Sequence, residues 1–158
     1  MAIETLLAAI GPNDGSRTDE LIDAVVDIVE PTDASVVLLH VFSETAYRAG
    51  IEEAGFDPDA PPSPGELASR LAGVDAVAAA LGDSGLEYDI VGEIGDEKET
   101  ILRVAGDTDA DLLCVSGRKR SPTGKAVFGS TVHELMMDAP CPVLFVREGL
   151  SGDAGTAD

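Results

Sequence analysis

The chain has 158 residues, 44% of them hydrophobic, and its 30 acidic and 10 basic side chains give a net charge of −20. This length predicts one domain with its own core, and the negative charge excludes general nucleic-acid binding, which needs a basic surface. No apolar run reaches the roughly 18 residues of a membrane-spanning helix, and Met1–Ile10 lacks the basic start and cleavage site of a signal peptide, so the sequence predicts a cytoplasmic protein.

The first part of the chain alternates apolar strands with an amphipathic helix. Thr5–Ile10 predicts a strand that ends at the loop residues Gly11–Gly15. Apolar residues at helical spacing after Thr18 predict a helix that Pro31 closes. The β-branched run Ser35–Phe42 predicts a second strand covered on both faces, as in a parallel sheet. These three elements predict a βαβ unit.

An irregular stretch follows the second strand. We predict a short helix over Glu44–Ala54, then a Pro-rich run, Asp57–Pro64, that crosses the surface, because proline suits neither a helix interior nor a central strand. One amphipathic helix is predicted over Glu66–Leu81.

The third and fourth strands flank another helix. Tyr88–Val91 predicts a short and less buried strand, and a loop is predicted at Gly92–Asp96. The next helix covers Glu97–Ala105 with Gly106 as its C-cap. The fourth strand is predicted at Asp111–Val115.

The last helix begins near Ser130 or Thr131, because Thr131–Glu134 matches a capping box. Two prolines end it and open a last strand at Val143–Val146, and residues 148–158 are predicted to form a disordered acidic tail.

This alternation predicts a single α/β domain over residues 1–147. Its core is a doubly wound, mostly parallel five-stranded sheet with helices on both faces. Ligands of such sheets bind beyond the carboxyl ends of the strands, where the strand order reverses. The loops after the first and fourth strands are therefore the candidate ligand loops.

The loop Ser116–Thr131 is the most informative segment. No Asp or Glu occurs from Leu112 to His133, although 30 of 158 residues are acidic, and four of the ten cations lie there. Small residues let backbone amides approach an anion, and a helix start adds free N–H groups and a positive partial charge. The sequence therefore predicts a phosphate site. Its candidate residues are Ser116, Gly117, Arg118, Lys119, Arg120, Gly129, Ser130 and Thr131, together with Gly11, Pro12 and Asn13 after the first strand.

Several alternative sites lack support in the sequence. The loop is not a Walker A motif, since Ala126 follows Gly124-Lys125 where Ser or Thr belongs. His40 and His133 have no partner at metal-ligand spacing, and no nucleophile has a base adjacent in sequence, so neither a metal nor a catalytic site is predicted. Whether Asp14 helps to hold Mg²⁺ stays open.

The two cysteines, Cys114 and Cys141, lie in apolar segments. This placement favours buried thiols over a redox role.

The chain resembles the universal stress protein family over Ile3–Val146. The resemblance rests on the loop Ser116–Thr131, the βαβ opening and the terminal strand Cys141–Val146. The resemblance implies the adenine-nucleotide α-hydrolase-like fold and ATP or AMP as ligand. Phosphates would bind Ser116–Thr131, and adenine would lie beside the second strand, near Val41 and the loop at Gly92. It also implies a homodimer through Val143–Val146.

The ATP-binding members carry G-x2-G-x9-G-[ST] after the fourth strand. Anchored on Gly129-Ser130, that spacing places Ser116 and Lys119 at the two earlier glycine positions. The acidic composition favours a haloarchaeal-like member, because concentrated salt screens self-repulsion.

Three functions follow from these observations. The first is a nucleotide-binding regulatory protein that acts by ligand-dependent association. The second is a member without nucleotide whose cationic loop binds a simple anion or a protein partner. The third is slow ATP hydrolysis or phosphoryl transfer.

Overall fold

The computed structural model describes residues 2–11, 18–118 and 130–148. The strands are β1 (Thr5–Ala9), β2 (Ser35–Phe42), β3 (Tyr88–Ile94), β4 (Leu112–Arg118) and β5 (Val143–Glu148). The helices are α1 (Asp19–Thr32), α2 (Glu44–Glu53), α3 (Pro64–Ser69), α4 (Ala72–Asp83), α5 (Glu97–Asp107) and α6 (Ser130–Asp138). None of these described helices is long and apolar enough to cross a membrane.

All five strands form one parallel sheet in the order β3-β2-β1-β4-β5. The predicted doubly wound sheet is confirmed. Alternate residues of the central strands point to opposite faces, so Leu6 and Leu38 pack beneath α1 and α4. Leu7 and Leu39 pack beneath α5 and α6 on the other face. Burial on both faces explains why β1 and β2 are apolar without alternation.

Two predicted helix limits in the first half are wrong. α1 continues through Pro31 to Thr32; proline in the last turn removes one backbone bond, and the Asp33 N–H closes the helix on the Val29 carbonyl at 2.8 Å. The single helix predicted over Glu66–Leu81 is divided into α3 and α4. Leu71 is extended between them, with ψ 137°, and its side chain packs against two hydrophobic clusters.

The last residues of the Pro-rich run do not only cross the surface, because one is buried and another begins α3. Pro62 is buried, and its carbonyl accepts a hydrogen bond from the Tyr47 hydroxyl. The Ser63 hydroxyl caps α3 by accepting the Glu66 N–H at 3.1 Å, and Pro64 stands in the first turn, where its missing N–H costs no helical bond.

The third and fourth strands are longer than predicted because their neighbours supply partners beyond the apolar runs. β3 passes Val91 and ends at Ile94, so the first part of the predicted loop at Gly92–Asp96 is strand. β4 passes Val115 and ends at Arg118. In each case the paired strand, β2 or β5, extends equally far.

The ends of α5 and α6 also differ from prediction. Gly106 lies inside α5, and Thr108 is its C-cap; the left-handed residue that follows is Asp109, with φ 51°. α6 includes both Ser130 and Thr131, so Thr131 is not the cap of a capping box. β5 includes Glu148, and the rest of the predicted tail lies outside the described residues.

Candidate functional site

The carboxyl ends of β1 and β4 form the point where the strand order reverses. β2 pairs with one edge of β1, and β4 pairs with the other edge. Loops that leave two such strands diverge to opposite faces and open a crevice. Ala9 and Val115 are the last paired residues of β1 and β4, so the predicted site residues Ser116 and, after Ile10, Gly11 lie just past this pair at the mouth of the crevice.

The structure places five of the predicted loop residues in two elements. Ser116, Gly117 and Arg118 are the last residues of β4, in register with Val146, Arg147 and Glu148. Ser130 and Thr131 are the first residues of α6. The other predicted residues, Pro12, Asn13, Lys119, Arg120 and Gly129, lie outside the described residues.

Val41 and Gly92, predicted beside adenine, lie at the carboxyl ends of β2 and β3. Val41 is partly buried and packs against the cluster beneath α5 and α6. Gly92 pairs with His40, the neighbour of Val41, so it faces the other side of the sheet. A Cβ at Gly92 would overlap the Pro64 carbonyl and lie 2.7 Å from the Gly65 nitrogen. The structure therefore does not bring Val41 and Gly92 to one face, and Gly92 permits the close approach of α3.

His40 supports the end of β1 from the neighbouring strand. Its side chain is only 3% exposed, and its Nδ1–H donates to the Ile10 carbonyl at 2.7 Å. The ring also packs edge-to-face on Phe42, with centroids 4.5 Å apart. This confirms His40 as a satisfied core residue and gives it a place beside the mouth, because Ile10 immediately precedes Gly11. The sequence around His40 does not indicate its hydrogen bond to the Ile10 carbonyl, because a lone histidine in an apolar strand could have many partners.

Two cations on α5, Lys98 and Arg103, form ion pairs near the carboxyl end of β3. Lys98 Nζ lies 2.9 Å from Asp138 Oδ2 and 3.8 Å from Glu134 Oε2, so it connects α5 to α6. Its hydrogen bond to Asp138 and the nearby acids raise the pKa of Lys98. Arg103 pairs instead with Glu93 at 2.8 Å and with Asp107 at 3.6 Å.

Both cysteines are free thiols. Burial raises the pKa of Cys114 to about 12, and the charge of Cys141 makes a smaller contribution in the same direction. Burial and the charge of Asp111 also raise the pKa of Cys141. Since the thiolate is the reactive form, this environment agrees with core thiols. Within the described ranges no group of three His, Cys, Asp or Glu side chains could hold a metal ion.

Comparison with known proteins agrees with this architecture. The model of the universal stress protein family matches residues 3–147. A universal stress protein from Mycolicibacterium smegmatis is 38% identical over 80 residues, which is 50% of this chain and 62% of that protein. The match thus spans less than two thirds of the relative's length.

Two solved structures share the fold at low identity. The universal stress protein from Archaeoglobus fulgidus matches with a TM-score of 0.65 and 18% identity, covering 92% of this chain and 99% of that one. A universal stress protein family protein from Arabidopsis thaliana with AMP bound matches with a TM-score of 0.64 and 15% identity, covering 94% of each chain.

Proposed function

We propose that this chain, which belongs to the universal stress protein family, is a cytoplasmic regulatory protein that binds AMP or ATP at the mouth between β1 and β4. The observation that carries the proposal is the position of Gly11 and Ser116 just past the last β1–β4 pair, where the strand order reverses. The segment that leaves β4 there is the acid-free, cationic stretch of a chain with net charge −20. The structural relative from Arabidopsis thaliana contains AMP, which agrees with this ligand class.

Each part of the nucleotide has a proposed partner. The phosphate meets Lys119 and Arg120 and the first N–H groups of α6, at Ser130 and Thr131, because cations and helix N-termini both favour negative charge. The base lies toward Val41, whose partly buried side chain offers an apolar surface. The role of the protein is ligand-dependent association rather than turnover.

One observation favours a second candidate function, the binding of a simple anion. Ser116 and Lys119 occupy the two positions where ATP-binding members have glycine. A lysine side chain supplies charge but takes the space through which a glycine backbone would approach a nucleotide. The cationic loop then holds inorganic phosphate or an acidic group of a protein partner.

Titration calorimetry with AMP, ATP, adenosine and inorganic phosphate distinguishes these functions. It is carried out in molar KCl, which matches the high-salt origin that we propose from the acidic composition, and repeated at low salt. We expect heat of binding with AMP or ATP and none with adenosine, since the phosphate supplies the charge contacts. Heat with phosphate alone would establish the second function. The absence of heat with all four compounds would refute both.

We also propose that β5 pairs with β5 of a second copy. β5 is the last strand of the sheet, and an edge strand offers backbone N–H and C=O groups to another strand. Sedimentation at micromolar concentration in molar KCl is expected to give the mass of a dimer. A monomer under those conditions would contradict this assembly.

A further inference from the structure

Lys98 connects the second position of α5 to α6. Its ammonium contacts Asp138 at 2.9 Å and Glu134 at 3.8 Å. The three side chains are 29%, 52% and 50% exposed, so the contact lies at the rim between the helices. From this contact we infer that Lys98 is a positioning residue for the anion site, acting through α6. The inference rests on the proposed function.

α6 depends on its neighbours for its place. It has nine residues, and an isolated helix of that length is marginal in water. Leu135, at 1% exposed, and the partly buried Val132 fix it to the cluster that α5 also joins. These two contacts hold one face of the helix against the core. The Lys98 contacts hold the helix from the side.

The charges at the end of α6 give the contact a second effect. The helix ends with the acidic Asp138 and has no basic residue in its last turn. A negative side chain there opposes the helix dipole. Lys98 Nζ supplies the missing positive charge from α5.

The link to the proposed anion site is the other end of the same helix. α6 begins at Ser130 and Thr131, whose N–H groups are the proposed phosphate donors. A rigid helix transmits a shift at Glu134 and Asp138 to these amides. Loss of Lys98 therefore changes where the donors point without removing any of them.

Arg103 provides a matched control for the change in net charge. It lies on α5 as well, and it pairs with Glu93 and Asp107 rather than with acids of α6. Lys98→Met and Arg103→Met each replace a long cationic side chain with an uncharged one and make the net charge more negative by one. Only the first removes the contact to α6.

The test compares AMP affinity, by calorimetry at low salt, in the wild-type protein and in Lys98→Met, Lys98→Arg and Arg103→Met. We expect Lys98→Met to weaken binding about two- to fivefold, the range of a single exposed ion pair. Arg103→Met should bind as the wild type does, and Lys98→Arg should retain affinity because it keeps the charge. In an Asp138→Asn background the effect of Lys98→Met should shrink, because the main partner is already lost.

Equal losses in Lys98→Met and Arg103→Met would overturn the role of Lys98 and leave the proposed function intact. Unchanged affinity in Lys98→Met would do the same. A wild-type protein that binds no AMP would overturn both. Amide hydrogen exchange gives a direct measure of α6: its amides should exchange faster in Lys98→Met than in Arg103→Met, and equal rates would count against the inference.

Discussion

Replacing Gly92 with alanine is expected to lower the free energy of unfolding by about 3 kcal/mol, at the upper end of the usual cost of overpacking. The added Cβ overlaps the Pro64 carbonyl and lies 2.7 Å from the Gly65 nitrogen. These are backbone atoms, which cannot rotate away as a side chain can. Ser63 caps this turn of α3, and β3 is fixed by its register with β2, so neither side of the contact yields without breaking hydrogen bonds.

Gly106→Ala is the matched control for that substitution. Gly106 lies within α5, and a Cβ there meets open space. Alanine at this position is expected to be neutral or to stabilise by about 0.5–1 kcal/mol, through its higher helix propensity. The urea midpoints of the two variants and the wild type provide the measurement. If Gly92→Ala unfolds at the wild-type midpoint, α3 does not lie on β3 as described.

The central strands could be predicted from the sequence because a strand that is buried on both faces is apolar along its whole length. Ser35–Phe42 is apolar along its whole length, and the structure gives β2 those same limits. Helices on both faces remove the need for alternation. A pattern of this kind identifies a strand before its neighbours are known.

Element limits that depend on tertiary contacts were predicted less well. The sequence of β3 beyond Val91 contains glycine and glutamate, and it is strand because Phe42 and its neighbours pair with it. The helix predicted over Glu66–Leu81 is divided at Leu71 because that side chain packs into two clusters. Hydrophobic periodicity records which residues are buried, but it does not record which cluster buries them.

In the candidate site, too, topology could be predicted from the sequence, whereas contacts between distant residues could not. Reversal of strand order beyond β1 and β4 follows from the predicted topology, and Gly11 and Ser116 lie just past the last pair of these two strands. The supports of the site are contacts between distant parts of the chain. Neither the hydrogen bond from His40 to Ile10 nor the ion pair from Lys98 to Asp138 leaves a local pattern, so both became visible only with the fold.

The double variant Lys119→Gln, Arg120→Gln is expected to weaken AMP or ATP binding at least about tenfold at low salt. A hydrogen bond to a charged group contributes about 1.5–3 kcal/mol, and about 1.4 kcal/mol corresponds to a factor of ten in affinity. Glutamine is shorter than lysine or arginine but keeps each side chain polar, and the double change removes two of the four cations between Leu112 and His133. The loss should therefore report mainly on charge. Calorimetry with AMP and ATP provides the measurement.

The control for this variant is Arg48→Gln, Arg70→Gln, which makes the same change in net charge on α2 and at the end of α3. If the cations of the loop bind phosphate directly, the control retains wild-type affinity at low salt. Equal losses would mean that the nucleotide responds only to the total charge of the protein. Salt separates these cases further: a purely long-range effect fades as the Debye length falls from about 10 Å at 0.1 M to about 3 Å at 1 M. A direct contact with phosphate is screened less, so part of the difference between the two double variants should persist in molar KCl.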